Sequence, residues 1–463
     1  MMLPTPIGAG ALAAGLLLMS ATAANATPSE EQARAVHSAA SHASGMRGSE
    51  APAHAGSLDW SFGDAGLSIH DLAPDDAVGS GVALDHHGRS ILVGSRMHQD
   101  SETSAEKYEV IVQRRTADGQ LDRSFADAGT KRFSVNPDPD GSSKGRQVEV
   151  DEAGRIVIGA SAVSPSAEQE WPAFVRLTDS GDFDRSFGSG GVALREEAGP
   201  AMLRGFTFDA ERRLIFTTDE SLVGRLTTSG AFDHSFGKQG TVEVPDESFV
   251  GKPIIDSKGR IVAPSTNAEV TPDQIAPTLV RLTADGALDP KFGKNGHAVI
   301  KFPSTAGAKG YVVRELANGK LIVGGQSQRW IGEELAPRMS VAAMTPSGAM
   351  DRTFGNGGTT IFEPEENSAI LDLRVDDQQR IVVGGTANGT NPEIQGRFTI
   401  ARLTTSGHLD EAFGDHGVTK TSVPLGEGDG YAQINGIAID QQGRIVAGGQ
   451  ASSALAVARY LAR

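Results

Sequence analysis

One six-residue motif of the type Leu-Asp-x-x-Phe-Gly recurs seven times along the chain and limits the possible folds more than any other feature. Phe or Met replaces the leucine in three copies, and Ala126 replaces the final glycine in one. Successive copies lie 49 to 63 residues apart. A motif that returns about once every sixty residues indicates a repeat architecture, in which each copy marks one structural unit. Its Asp/Phe pairs are Asp59/Phe62, Asp122/Phe125, Asp184/Phe187, Asp233/Phe236, Asp289/Phe292, Asp351/Phe354 and Asp410/Phe413.

Each unit contains the same order of short strand patterns. In the second unit, Val148 and Val150 alternate with polar residues, and residues 156–158 form an apolar run of β-branched side chains. Gly154 lies between the two runs, where a tight hairpin turn needs a permissive backbone. A third run leads to the next motif, and a short alternating run follows that motif. We therefore predict four strands per unit: A and B form the hairpin, C precedes the motif and D follows it.

Four-stranded units repeated around an axis make a β-propeller, so we predict an all-β, seven-bladed propeller over residues 57–463. The repeats begin with a lone D pattern at residues 58–72 and end with a lone C pattern at residues 454–461. The N-terminal D strand should complete the seventh blade, which closes the ring and leaves no exposed sheet edge. The predicted starts of strand A lie near Val82, Gln147, Leu203, Pro253, Val312, Ile370 and Asn435.

The motif itself has an architectural interpretation. An aspartate in a turn accepts hydrogen bonds from backbone N–H groups two or three residues further on. The phenylalanine is the main recurring aromatic residue, and we predict that it packs between neighbouring blades. Because the aspartate occurs in every blade, we interpret it as part of the scaffold rather than as a catalytic residue or a metal ligand.

These motifs resemble those of the delta-60 repeat family of bacterial proteins. The resemblance rests on segments such as residues 409–417 and 443–449, and it extends from Leu58 to the C-terminal end of the sequence. It implies propeller-type repeats in a protein that is exported. The family provides no catalytic residues that could be assigned to positions of this chain.

The N-terminal segment has the pattern of a secretory signal peptide. Residues 1–26 contain no charged side chain, and an apolar run over residues 7–18 is followed by Ala24-Asn25-Ala26. This matches an A-x-A cleavage site, so we expect cleavage after Ala26 and a secreted or periplasmic protein. The alternative is an uncleaved anchor, although the run is short for a membrane span. Residues 27–56 are expected to form a flexible linker rich in alanine and serine.

Composition argues against several classes of function. The formal net charge is −16, and such an acidic surface repels phosphate backbones and anionic lipids. We therefore expect no nucleic-acid binding, no stable membrane insertion after signal cleavage, and a monomer. The sequence contains no cysteine, so neither disulfides nor thiolate metal sites can hold the fold. No cofactor is predicted from the composition.

Differences among the repeats indicate which side of the ring binds a partner. The A–B turns are short and uniform, whereas the B–C connections are long in five repeats and short in two. B–C and D–A connections should share one side, which we name the variable face. The A–B turns and C–D motifs share the opposite side, the constant face. Because function generally lies on loops held by a rigid scaffold, we predict binding at the variable face.

Two of the three tryptophans fall in long B–C connections. An exposed tryptophan beside charged residues suits stacking on a glycan or anchoring in a protein partner. The alternative is that each tryptophan folds its own connection onto the scaffold. The candidate binding residues are Glu170, Trp171, Arg329, Trp330 and Arg338.

Residues 136–141 resemble the start of an EF-hand calcium loop. Asn136, Asp138 and Asp140 occupy positions one, three and five, and Gly141 occupies position six. Position twelve is Gln147 instead of the usual bidentate glutamate, and no helix is predicted on either side. We therefore favour an acidic turn between strands, with calcium binding as the alternative.

No common catalytic motif of the types H-E-x-x-H, G-x-S-x-G or G-x-x-x-x-G-K occurs in the sequence. We favour a non-enzymatic exported scaffold that binds a protein or glycan through the variable face. The alternative is a propeller enzyme, such as a hydrolase, lyase or quinone-type dehydrogenase, with its site at the mouth of the central channel. Convergent titratable residues with shifted pKa values in a pocket would favour the enzyme.

Overall fold

A computed structural model of the chain describes residues 54–72, 76–99, 106–195, 199–245, 247–267, 276–302, 306–332, 334–387, 397–423 and 431–463. Within these residues there are 29 β-strands and no helix. The strands form seven antiparallel sheets arranged in a ring, which confirms the predicted seven-bladed β-propeller. These residues contain no helix that is long and apolar enough to cross a membrane. The predicted signal peptide and most of the predicted linker lie outside the described residues.

Each sheet follows the predicted order A, B, C and D. Blade one consists of β2 (Asp76–Leu84), β3 (Ser90–Gln99), β4 (Glu106–Arg115) and β5 (Thr130–Phe133). Blade two consists of β6 (Ser142–Val150), β7 (Ile156–Val163), β8 (Glu170–Leu177) and β9 (Val192–Leu194). Blade three consists of β10 (Leu203–Phe208), β11 (Leu214–Thr218), β12 (Leu222–Leu226) and β13 (Thr241–Glu243).

The fourth blade has a divided first strand, so its sheet contains five elements. They are β14 (Glu247–Phe249), β15 (Ile254–Ile255), β16 (Ile261–Asn267), β17 (Ala276–Leu282) and β18 (His297–Val299). Blade five consists of β19 (Gly307–Glu315), β20 (Leu321–Ile331), β21 (Glu334–Met344) and β22 (Thr359–Phe362). Blade six consists of β23 (Ser368–Val375), β24 (Ile381–Ala387), β25 (Arg397–Leu403) and β26 (Val418–Ser422).

The seventh blade joins the two ends of the repeat region. Its strands are β27 (Ala432–Ile439), β28 (Ile445–Ala451), β29 (Ala454–Tyr460) and the N-terminal β1 (Leu67–Asp71). Strand β1 runs antiparallel to β29, with Leu67 opposite Ala458. This pairing confirms the predicted closure of the ring. The described structure already begins at residue 54, and the Gly56 N–H donates to the Leu461 carbonyl at 2.7 Å.

The motif aspartate organises a lock between adjacent blades. Asp289 of blade four accepts a hydrogen bond from the Lys291 N–H at 3.0 Å, as expected for a turn aspartate. Its second carboxylate oxygen accepts from the Nε of the buried Arg281 at 2.9 Å. Arg281 in turn donates to the Pro346 carbonyl of blade five at 2.6 Å. The motif thus connects its own blade to the next one through an arginine partner that the repeat pattern did not predict.

The same arrangement recurs in six blades. The guanidinium carbon of each buried arginine lies 4.1–4.8 Å from the centroid of a motif phenylalanine ring, a cation–π distance. The arginine/phenylalanine pairs are Arg459/Phe62, Arg114/Phe125, Arg176/Phe187, Arg225/Phe236, Arg281/Phe292 and Arg402/Phe413.

Blade five is the exception to this arrangement. Ala343 occupies the position of the buried arginine, so Phe354 has no equivalent guanidinium over its ring. Lys320 Nζ lies 2.6 Å from the Asp351 carboxylate and takes over the ion pair. The motif phenylalanine therefore keeps its place in the blade without the cation, because its burial does not depend on the arginine.

The motif phenylalanines lie in the seams between blades, as the repeat pattern predicted. Gly181 of blade two approaches the Phe125 ring of blade one so closely that an added Cβ would lie 2.8 Å from it. Its φ of +90° also lies in the region that favours glycine. The ring therefore fills the seam, where no larger residue fits at position 181. In five other seams, a Cβ added to the corresponding glycine would lie 2.6–3.0 Å from the motif ring of the preceding blade. These rings belong to Phe62, Phe187, Phe236, Phe292 and Phe354.

The last seam is completed by the segment that precedes β1. Phe413 of blade six packs in one apolar cluster with Ala55, which lies at the start of the described residues. The Gly414 N–H donates to the Ala55 carbonyl at 2.8 Å. This contact provides a second connection, besides the pairing of β1 with β29, between the N-terminal segment and the end of the ring.

Six motif aspartates have a lowered pKa. In Asp59, burial alone would raise the pKa, but hydrogen bonds from Ser61 and the charge of Arg459 outweigh it. The same balance of burial against hydrogen bonds and a nearby cation lowers the pKa throughout the set. The residues are Asp59, Asp122, Asp184, Asp233, Asp289 and Asp351.

The lowered pKa values predict a loss of stability in acid. A carboxyl group whose pKa is lower in the folded state stabilises the fold above its unfolded pKa, about 3.9 for aspartate. That contribution disappears as the pH falls through the folded pKa. We therefore expect the free energy of unfolding, measured with urea, to decrease from about pH 4 downwards. The Asp289→Asn variant should lose less over this range than the exposed control Asp377→Asn, and a pH-independent value would contradict the lock.

Candidate binding face and central channel

The longest B–C connection is largely strand rather than loop. Strands β20 and β21 pair without interruption from Leu321 opposite Met344 to Ile331 opposite Glu334. Trp330 therefore lies near the end of a long hairpin, and Trp171 likewise lies within β8. The expectation that both tryptophans lie in loops was wrong, because the inner part of each connection continues the sheet.

The end of the blade-five hairpin carries three exposed apolar side chains. Trp330 is 61% exposed, and Ile331 and Leu335 are each 41% exposed. Trp330 and Leu335 face each other across the two strands. We name these three residues the hairpin tip. The tip ends at Gly332, whose φ of +60° permits the tight turn.

The two predicted arginines lie further along the same hairpin. Arg329 Nη2 is 2.7 Å from a carboxylate oxygen of Glu363, so its charge is paired beside the tip. Arg338 lies opposite Ser327, and its Nε is buried without a hydrogen-bond partner in the described part of the chain. Three of the five predicted binding residues thus share one hairpin.

Glu170 and Trp171 lie elsewhere on the ring. They belong to blade two, which is separated from blade five by two blades on one side and three on the other. The Glu170 side chain is only 12% exposed and pairs with Lys144 at 3.2 Å and Arg146 at 2.5 Å. Burial would raise the pKa of Glu170, but these two cations lower it. The structure therefore does not bring the two predicted sets into one site.

The motif residues belong to the scaffold and are not accessible to a ligand. Every motif phenylalanine is at most 3% exposed, so none of the seven rings can serve as a stacking platform for a sugar or a peptide. Phe236 and Phe413 are completely buried, and Phe354 is 2% exposed. The motif aspartates are held by cations in the same way, as Asp410 is by Arg402 Nε at 2.8 Å. These residues therefore position the blades.

The EF-hand-like segment forms a hydrogen-bonded turn between β5 and β6. The Asn136 side chain donates to the Val163 carbonyl at 2.7 Å and accepts from the Asp138 N–H at 3.0 Å. Asp138 accepts from the Asp140 N–H at 2.9 Å, and Lys107 Nζ lies 3.5 Å from the Asp140 carboxylate. Among the described residues, no group of three His, Asp or Glu side chains could hold a metal ion. Calcium binding at this turn stays the alternative hypothesis.

The innermost strands begin earlier than predicted and continue along the central channel. Strand β2 begins six residues before Val82, and β6 begins five residues before Gln147. Polar side chains at these early positions alternate with buried ones, which is the pattern of a strand with one wet face. They were predicted to be loop residues because the buried members of the alternation, such as Gly79, Ser143 and Gly145, are small rather than large and apolar.

A β-bulge interrupts the innermost strand in six blades. The pairing between strands A and B shifts by one residue there, and a bulge of this kind redirects a side chain. In blade four the strand is split, and Lys252 lies in the gap between β14 and β15. All seven side chains are partly buried between fully buried neighbours, so we assign them to the channel wall and name them the bulge ring. They are Ser80, Arg146, Arg204, Lys252, Tyr311, Leu371 and Asn435.

The channel wall is unusually basic for an acidic chain. Lys144 and Lys309 lie two residues before the bulge of their strands, towards the variable face. Arg314 and Arg374 lie three residues after it, and their side chains are about one fifth exposed. Together with Arg146, Arg204 and Lys252 they make seven cations in the described channel wall. The spacing Lys144-Gly145-Arg146 is the sequence signal that could have indicated this surface.

Asp372 ties two innermost strands together inside this basic region. Its carboxylate accepts from the Ile437 N–H of blade seven at 2.9 Å and from Arg374 at 2.7 Å. Burial would raise the pKa of Asp372, but the nearby Arg374, Lys252 and Arg314 lower it to about 2. The group is therefore a carboxylate at neutral pH and cannot donate a proton there.

A cleft of about 250 Å³ opens between blades two and three on the constant face. Arg155, Arg176 and Phe187 line it, together with Asp151 and Asp209. These side chains belong to the aspartate–arginine lock and to the A–B turns. The cleft is thus part of the seam that joins the blades.

Part of the chain matches a known family. Residues 380–413 match the model of a family described as a domain of unknown function (DUF5122) beta-propeller. The matched segment runs from the A–B turn through strands B and C to the motif phenylalanine Phe413. This match and the seven blades fit a β-propeller repeat family. No curated protein matches the sequence.

Several solved structures are similar to the chain at low identity. The structure of YCF48 bound to D1 peptide is 12% identical, covers 90% of this chain and 100% of that chain, and has a TM-score of 0.46. A protein of unknown function from Dyadobacter fermentans DSM 18053 is 12% identical, with coverages of 86% and 100% and a TM-score of 0.41. The β-propeller domain of the Trilobed protease from Pyrococcus furiosus is 9% identical, with coverages of 84% and 94% and a TM-score of 0.41.

Proposed function

We propose that this chain is an exported binding scaffold that recognises a protein or glycan through its variable face. The observation that carries the proposal is the hairpin tip of Trp330, Ile331 and Leu335. Three large apolar side chains stand together in water at the end of a rigid, fully paired hairpin. Exposed apolar groups concentrated in one place mark interaction sites, whereas single ones do not.

The distribution of exposed side chains supports this choice of site. In the described part of the chain, six large apolar residues are exposed, and half of them form the tip. A tryptophan offers a flat face for a sugar ring or an anchor for a protein pocket, with few rotatable bonds to immobilise. The ion pair between Arg329 and Glu363 provides a polar border beside it.

Three ionisable groups of the channel wall titrate far from neutral pH. General acid–base catalysis works best when a group titrates near the working pH. Asp372 has a pKa of about 2, the pKa of Tyr311 is raised by burial to about 12, and the pKa of Arg314 is lowered by burial to about 10. These three channel groups therefore keep one charge state near neutral pH, which suits a binding surface.

The test compares the tip with a matched tryptophan on the opposite face. Wild-type chain, a Trp330→Ala/Leu335→Ala variant and a Trp60→Ala variant serve as baits for envelope and culture fractions and for a glycan array. Trp60 is 47% exposed and follows the motif Asp59 on the constant face, so its removal controls for non-specific adhesion. We expect the tip variant alone to lose at least about tenfold in affinity for the partner, because anchor residues carry most of the binding energy.

Two results would overturn the proposal. Equal retention of a partner by all three baits would exclude the tip as the anchor. The absence of any protein or glycan that binds the wild-type chain would exclude the scaffold role itself. The fraction in which the native protein is found tests export separately.

A further inference from the structure

We propose that the central channel holds a binding site for a small oxyanion with two or three negative charges, carried by phosphate or carboxylate groups. The site is the bulge ring with the basic residues on either side of it. It is distinct from the hairpin tip and does not depend on the function proposed above. Its location follows from the bulges of six blades and the split strand of blade four, each of which places one side chain on the channel wall.

The channel wall carries a local excess of positive charge. Seven cations line the described channel wall, while the carboxylates among or beside them are Asp76, Glu149, Glu170, Asp219 and Asp372. Two more cations than carboxylates therefore lie in this part of the described structure. The whole chain carries −16, so this surplus is local and opposite in sign to the surface. Cations held close together repel one another, and a bound anion would offset that repulsion.

Two of these cations, Arg204 and Lys252, have few or no partners within the protein. Arg204 approaches Asp219 only at 3.4 Å, and its Nε is buried without a hydrogen-bond partner in the described residues. Lys252 makes no hydrogen bond or ion pair with any residue that the structure describes. Burial lowers the pKa of Lys252, whereas the charge of Asp372 opposes that shift. A buried donor without a partner is costly, so the Arg204 Nε is available for a ligand, and the Lys252 ammonium has no existing bond to give up.

Consecutive residues of the bulge ring lie close together in blades three, four and five. A Cβ added at Gly205 would lie 2.7 Å from Cγ of Lys252, so blades three and four touch at this point. A Cβ added at Gly251 would meet the Tyr311 carbonyl oxygen in the same way. The glycines therefore allow Arg204, Lys252 and Tyr311 to follow one another around the ring without a spacer.

The side chains specify the chemistry of the ligand. A guanidinium group offers two parallel donors that match a carboxylate or phosphate, and an ammonium group supplies a compact charge. The Tyr311 hydroxyl stays protonated because burial raises its pKa to about 12, so it can donate a hydrogen bond. Asn435 and Ser80 add neutral polar groups on the adjacent blades. A local surplus of positive charge suits an anion that carries more than one negative charge.

The test measures binding of pyrophosphate and citrate to the full chain by isothermal titration calorimetry, in buffers of matched ionic strength. Pyrophosphate represents the phosphate class and citrate the carboxylate class, so their relative affinities assign the ligand chemistry. We expect one anion to bind with a single site. The Lys252→Met and Arg204→Gln variants should each weaken it about tenfold or more, since each removes a charged donor.

Matched surface variants separate the channel from general electrostatics. Lys238→Met and Arg185→Gln remove the same charges from exposed positions, and they should leave the affinity unchanged. Equal weakening by channel and surface variants would overturn the proposal, as would the failure of both anions to bind the wild-type chain. Lys252→Met should also keep the melting temperature, because no bond within the described structure is lost. The Trp330→Ala/Leu335→Ala variant should still bind the anion, so this test and that of the scaffold can fail separately.

Discussion

Deletion of residues 57–72 is expected to open the ring and destroy the cooperative unfolding transition of the propeller. This segment supplies β1, the edge strand that covers β29, and Phe62, which is only 2% exposed. It also supplies Asp59, whose carboxylate holds the buried Arg459 at 2.8 Å. Loss of the two buried side chains Phe62 and Leu72 alone removes about 3–6 kcal/mol of hydrophobic stabilisation. The unpaired Arg459 and the exposed strand edge add to this cost.

Thermal unfolding followed by circular dichroism measures the effect. A truncation that removes residues 1–53 is the matched control and should keep the melting temperature, since it leaves the described blades intact. A gentler variant, Phe62→Ala, should lower the free energy of unfolding by about 3–5 kcal/mol, the usual cost of emptying a buried aromatic site. An unchanged melting temperature for the 57–72 deletion would show that the ring does not depend on this strand.

The second large effect is expected from a single arginine of the lock. Arg281→Ala should reduce the free energy of unfolding by about 3–5 kcal/mol, because removal of one partner leaves a buried charge uncompensated. Asp289 would keep the Lys291 N–H bond but, of its cations, only Arg260 at 3.3 Å, and the Pro346 carbonyl would lose its donor. The Phe292 ring would lose the guanidinium that lies 4.1 Å from its centroid. Urea unfolding of the purified chain provides the measurement.

The control for this experiment is Arg185→Ala, which removes an exposed arginine from the preceding part of the ring. Its effect should be within about 0.5 kcal/mol, as for most surface substitutions. A loss of less than about 1 kcal/mol for Arg281→Ala would mean that the lock is not a major source of stability. Blade five is informative here, because Ala343 and Lys320 show that the lock can be built without the buried arginine.

The acidic exterior and the basic channel have opposite electrostatic effects on a ligand. A surface of net charge −16 repels anions at long range, whereas the positive channel attracts them once they enter. Salt screens exposed charges more than partly buried ones. An anion that binds in the channel is therefore held by short contacts with Arg204 and Lys252 more than by the field of the whole protein.

Local sequence patterns indicated where the B–C connections lie but not what structure they adopt. The uneven B–C connections indicated a long excursion from the scaffold around Trp330. They did not show that the excursion is a paired hairpin, because β20 and β21 continue to hydrogen-bond beyond the run of apolar residues. The sequence around Glu170 also did not indicate its ion pairs, since its partners Lys144 and Arg146 belong to a different strand.

The sequence by itself determined the number of blades, the order of strands within them and the closure by β1. These features depend on periodic apolar runs and on turn residues such as Gly154 and Asp289, whose effects are local and repeat in every unit. The tertiary structure alone decided which charges meet. Arg281 reaches Asp289 and the next blade only when the sheets stand side by side. Lys252 faces Arg314 and Asp372 only because the innermost strands converge on one axis. Side-chain directions there depend on the bulges and on the split strand of blade four, which no periodic pattern reveals.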